Sequence, residues 1–220
     1  MIIQVLEHSI RKTEPCILLN KNILINMPAL TKSIEVDHIL LTHAHQENIK
    51  GFNQILKKEK GLTQLYVHKD HEHALLHNTA NLTDKCIIKN ITPNKKFKID
   101  GITIQPIHVR HTVQKSHSDI CLAFLIDKRI MYCSPCNDIP KKNLKYFKNL
   151  NVLILDGGYR GKAKYDDHLS MNKILSIVKD FNIKYLYFLG THKDYSIKGK
   201  MRNRKTYIDT LFTGDIIKVK

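Results

Sequence analysis

The chain predicts an α+β fold, two packed β-sheets flanked by helices. Three observations carry this expectation. Short apolar segments of strand length recur through both halves of the sequence. Helical spacing of apolar residues is confined to stretches that follow particular strands. The run Val152-Leu153-Ile154-Leu155 is apolar without interruption, as in strands buried on both faces.

Strands are predicted over Ile2–Leu6, Cys16–Leu19, Ile23–Ile25 and His38–Leu41, with Leu19-Asn20-Lys21-Asn22-Ile23 reading as a hairpin turn. After Gly51, Phe52, Ile55 and Leu56 keep helical spacing. Leu65–Val67 reads as a strand and Asp70–Leu76 as a helix. Ile102–His108 and Ile120–Ile126 are further strands, and another begins at Arg129–Tyr132. Ser170 is an N-cap for a helix with Met171, Ile174, Leu175, Val178 and Phe181 on one face. Tyr185–Leu189 and Ile216–Val219 complete the strands.

The 220 residues contain no repeat, low-complexity tract or linker, so a single domain over 1–220 is expected. No run of 18 apolar residues exists, so no membrane span is expected. The first residues, Met1-Ile2-Ile3-Gln4-Val5, read as a strand rather than a signal peptide. Five cysteines without framework spacing read as reduced thiols of a cytoplasmic protein. The formal net charge of +16 allows polyanionic partners, nucleic acid included. Lysine dominates that charge, however, and arginine, which reads phosphate bidentately, is scarce. Lys193–Lys205 carries six basic residues against one acidic, a stretch that could embrace phosphate backbone or simply be a solvated loop.

The chemistry concentrates at Thr42-His43-Ala44-His45-Gln46-Glu47-Asn48-Ile49-Lys50-Gly51, directly after Ile39-Leu40-Leu41. Two histidines one residue apart past a strand end can aim imidazole nitrogens at one point, and Glu47 can reach the same neighbourhood. Ile104-Gln105-Pro106-Ile107-His108-Val109-Arg110-His111 adds two more histidines, which strand alternation directs to opposite faces. Gly190-Thr191-His192 follows the strand Tyr185–Leu189, and Asp166-Asp167-His168 precedes the Ser170 helix.

These motifs, in this order, resemble the metallo-β-lactamase superfamily, whose signature is His-x-His-x-Asp-His. The resemblance implies a four-layer αββα sandwich. It implies metal ligation by His43, His45 and His111, with His108 the alternative to His111, and by His192 and Glu47 at a second ion. His168 resembles the general acid of the phosphodiesterase branches, ribonuclease Z-like and cyclic-phosphate enzymes, with Asp166 or Asp167 orienting it; helix capping by the same residues is the competing reading. Zinc is the expected ion, one or two per chain, with manganese as an alternative.

The pattern also breaks. Asn48 stands where the family has a histidine for its second metal, Glu47 where it has aspartate, and Asn26 where a supporting aspartate is common. Pro135 occupies the slot of the bridging aspartate, leaving Asp138 or Cys136 to bridge instead; two ordinary loop cysteines at 133 and 136 are the simpler reading. The expected function is a metal-dependent hydrolase, a phosphodiesterase acting on a nucleotide, cyclic phosphate or RNA end through a metal-bound hydroxide. The alternative is a degenerate member that binds nucleic acid or a protein without catalysis, and homodimerisation stays open.

Overall fold

The computed structural model describes residues 1–7, 15–30, 34–52, 62–79, 84, 86–111, 120–133, 135–157, 169–189, 198–200 and 206–219; within these, the side chains of 7, 47, 78 and 200 are outside the description. The chain divides into two compact units, residues 1–92 with 212–220 and residues 93–211.

The first unit is built on β1 (Ile2–Glu7), β2 (Cys16–Leu19), β3 (Ile23–Ile25), β4 (His38–Leu40), β5 (Thr63–Val67), β6 (Cys86–Asn90) and β15 (Ile216–Lys218). They form one sheet in the order β15-β1-β2-β3-β4-β5-β6. Asn20 and Lys21 both adopt positive φ in the expected β2–β3 turn, which asparagine tolerates and which matches the twist of a tight hairpin. From β3 onward the strands run parallel, β3 with β4, β4 with β5, β5 with β6. Parallel neighbours need crossovers, and α1 (Gln46–Ile49) and α2 (Lys69–Asn78) lie on two of them. Leu24, Ile39, Leu65 and Val67 pack with Met27, Phe52 and Leu75 in one apolar cluster. Every residue of β3 and β4 is buried, which is why Ile23-Leu24-Ile25 and Ile39-Leu40 are apolar without alternation.

The second unit carries β7 (Phe97–Ile99), β8 (Ile102–Arg110), β9 (Ile120–Ile126), β10 (Ile130–Cys133), β11 (Val152–Asp156), β12 (Tyr185–Leu189), β13 (Gly199–Lys200) and β14 (Tyr207–Thr210). Their order is β13-β14-β12-β11-β10-β9-β8-β7. Strands β10, β11, β12 and β14 are mutually parallel. The helix α3 (Met171–Val178) begins at Ser170, whose hydroxyl accepts from the Lys173 N–H at 3.3 Å, as the sequence predicts. Met171, Ile174 and Val178 then pack in one core with Leu153, Leu155, Leu186 and Phe188.

Five elements were not expected: β6, β7, β13, β14 and a 3-10 helix over Lys141–Phe147. Beyond these, the short helix α1 (Gln46–Ile49) lies before Gly51 and was not expected; of the helical spacing over Phe52, Ile55 and Leu56, the last two residues lie outside the described residues. The α+β class, with two mixed sheets and few helices, is as predicted.

Candidate metal centre

In the first unit the site grows from the C-terminal ends of two adjacent parallel strands. Register pairs Ile25 with Leu40, so Asn26 and Leu41 are the next residues out and Thr42 follows one further on. Asn26 sits at φ 65°, a left-handed conformation that asparagine adopts more readily than most residues. Its Oδ1 accepts from the Thr42 N–H at 3.1 Å and lies 2.9 Å from the Thr42 hydroxyl. Thr42 Oγ1 is in turn 2.9 Å from His43 Nδ1. His43 Nε2 lies 2.8 Å from His45 Nδ1, with the two rings edge to face. His43 is buried, whereas His45 is partly open to solvent.

His45 also precedes the first turn of α1, which brings Asn48 back over His43. The Asn48 Nδ2 is 3.0 Å from His43 Nδ1 and 3.1 Å from its Nε2, while the buried Oδ1 has no hydrogen-bond partner. Asn48 is held by its own backbone, since its carbonyl accepts from the Met27 N–H at 2.7 Å. Gly51 closes the same lock by donating its N–H to the Met27 carbonyl at 2.8 Å. A β-carbon at Gly51 would land on the Pro28 carbonyl, whose carbon would be 2.8 Å away. Glycine is needed here for close approach, not for its φ.

In the second unit β8 ends at Arg110, so His111 is the first residue past the strand and is buried. His108 lies within β8, partly exposed, and its carbonyl accepts from Asn143 Nδ2 at 2.7 Å. β11 ends on Asp156, a buried carboxylate that the sequence reading did not single out; its signal is an unbroken apolar strand closing on an acid.

A sequence profile of the Beta-lactamase superfamily domain matches residues 20–191, most of the chain. The chain belongs to the metallo-β-lactamase superfamily. Solved structures agree on the fold. A diphosphatase from the PhnP family superposes with a TM-score of 0.77 at 15% identity, covering 100% of this chain and 98% of that one. Human tRNase Z, short form, gives a TM-score of 0.75 at 12% identity, with both chains fully covered. Zinc-bound PqqB from Methylobacterium extorquens gives 0.73 at 13% identity, again with both fully covered. Among curated proteins, none matches the sequence. The predicted sandwich fold of this superfamily is therefore borne out.

Asp138 forms an ion pair with Arg110 at 3.3 Å, half exposed, and its carbonyl accepts from the Arg110 N–H. Cys136 is buried against Cys133, and Cys121 Sγ donates to the Pro135 carbonyl at 3.4 Å. The side chain of Glu47 and all of Asp166, Asp167, His168 and His192 lie outside the described residues, as does most of Lys193–Lys205. Burial pushes the Cys133 thiol well above its ordinary range, reinforced by the hydrogen bond to Cys136 and by Asp156 nearby. All five cysteines are buried thiols. A thiol reagent at neutral pH is thus expected to label the native protein slowly and all five positions after unfolding, since the thiolate is the reactive form. Rapid native labelling at Cys133 or Cys136 would contradict this.

Proposed function

We propose that this superfamily member is a metal-dependent phosphodiesterase in which His43, His45 and His111 hold one cation tightly. The observation that carries this reading lies in the first unit, where His43 Nε2 and His45 Nδ1 converge to 2.8 Å just past a strand end; the family resemblance adds His111, the buried residue after β8. Three imidazoles leave a position for solvent, the arrangement of catalytic zinc. Such an ion supplies Lewis acidity and a water acidic enough to ionise near neutral pH.

The chain's own groups do the rest. Thr42 holds His43 at its Nδ1. Glu47 orients or deprotonates the attacking water, and His168 gives its proton to the departing oxygen. Glu47, His192 and Asp138 are the candidates for a second ion. Asn48 weakens that second position, because an amide oxygen binds zinc less strongly than an imidazole nitrogen. Zinc is the favoured ion, with manganese the alternative. A phosphodiester substrate, whether nucleotide, cyclic phosphate or RNA end, suits the +16 charge and the PhnP-family and tRNase Z likenesses. Buried thiols suit a reducing, cytoplasmic setting. Among the described residues, no helix is long and apolar enough to cross a membrane.

Protein purified without chelating resin is expected to retain one equivalent of metal per chain. With zinc or manganese it should hydrolyse bis(p-nitrophenyl) phosphate, and chelation should stop the reaction. A folded, metal-loaded sample without turnover would sink the hydrolase reading. If that sample instead bound RNA with steep salt dependence, the non-catalytic alternative would stand.

A further inference from the structure

We infer that Asn26 and Thr42 form a two-residue relay that sets the tautomer of His43 and so presents its Nε2 lone pair. This rests on the metal reading above only for its affinity consequences; the tautomer itself is a property of the metal-free protein. The inference follows from counting hydrogens. The Thr42 backbone N–H can only donate, and it points at the Asn26 amide at 3.1 Å. The amide atom facing Thr42 must therefore be oxygen, which removes the usual ambiguity between amide oxygen and nitrogen. That same oxygen lies 2.9 Å from Thr42 Oγ1, so the single hydroxyl hydrogen is directed to Asn26. Were the hydroxyl to donate to His43 instead, two acceptor oxygens would face each other at 2.9 Å with no hydrogen between them.

Thr42 Oγ1 thus has only lone pairs left for His43 Nδ1, 2.9 Å away. His43 must supply the hydrogen from Nδ1, and in the neutral ring Nε2 is then bare. Asn48 is consistent with this. Its Nδ2 cannot bond to a protonated Nδ1; in the metal-free protein it can donate only to Nε2, 3.1 Å away, which His45 Nδ1 also approaches at 2.8 Å, and a cation would take the place of both. Asn26, Thr42 and His43 are all buried, which keeps water from offering a competing partner. Asn26 performs this role without charge, and its own Nδ2 is left buried without a partner. Asn26 and Thr42 are positioning residues: they act through His43.

The test is histidine nitrogen NMR on the metal-free protein, followed by zinc titration against a competing chelator. In the wild type, His43 should show a protonated Nδ1 and a bare Nε2. Thr42→Val removes the acceptor while keeping the shape, and should shift His43 toward the Nε2-protonated tautomer that free imidazole side chains prefer. Zinc affinity should fall roughly tenfold to a hundredfold, the usual effect of losing a ligand's hydrogen-bond partner. Thr42→Ser restores the hydroxyl and should restore both signals; Asn26→Asp keeps the acceptor oxygen and should keep the tautomer. An Nε2-protonated His43 in the wild type overturns the relay, as does a tautomer unmoved by Thr42→Val. Unchanged zinc affinity in Thr42→Val, in a wild type that binds zinc, overturns it too. A wild type that takes up no zinc defeats the metal reading instead, and the tautomer signals then decide the relay alone.

Discussion

His43→Ala is expected to abolish phosphodiester hydrolysis and to weaken zinc binding by more than about a hundredfold. That bound follows from the loss seen when only a ligand's hydrogen-bond partner is removed; deleting a ligand nitrogen must exceed it. The variant should still fold. Removing the ring leaves the Thr42 hydroxyl and the Asn48 amide without His43, at a cost of about 1–3 kcal/mol for each unsatisfied group, within the stability of an ordinary domain. Exposed His73 on α2 provides the control, since His73→Ala should leave both zinc affinity and turnover unchanged. Metal content by mass spectrometry, turnover and circular dichroism on the three proteins separate the outcomes. Full activity in His43→Ala would remove the proposed ligand set.

Gly51→Ala should produce the largest structural effect of any single methyl addition around this site. The new β-carbon would meet the Pro28 backbone carbonyl, which cannot swing away as a flexible side chain could. Either the Met27–Pro28 segment or the end of α1 must move, breaking the Gly51-to-Met27 and Met27-to-Asn48 hydrogen bonds. Overpacking of this kind costs up to about 3 kcal/mol, equivalent to a fall in Tm of roughly 6–12 °C for a chain of this size. Because Asn48 is tied into the same lock, zinc affinity should fall with stability. Thermal unfolding and zinc titration check the two effects; a Tm within a degree of the wild type would show that the close approach is absent.

Much of the site was legible because its signals are local. Thr42, His43 and His45 stand immediately past an apolar strand, and two-residue spacing at a strand end brings two imidazoles together whatever the rest of the chain does. Ser170 was legible for the same reason, since an N-cap acts within three residues. The β7–β8 hairpin carries an equally local signal, since Asp100-Gly101 joins Ile99 to Ile102 with both residues at positive φ, the strongest short hairpin pattern. Strands β6 and β14 were harder. Their burial patterns mix exposed, intermediate and buried positions, so neither stands out as an apolar run.

Sequence alone determined which residue types stand at the ends of which strands, because apolar periodicity and the chemistry of single side chains act over a few neighbours. It could not reveal that Asn26 faces Thr42 or that Gly51 must clear Pro28. Those contacts join residues 16 and 23 positions apart in the chain, and they exist only once β3 and β4 pair in parallel register and α1 folds back onto the loop after β3. Pairing between strands is chosen by burial across the whole sheet, so the tertiary structure alone decided how the first histidine is held.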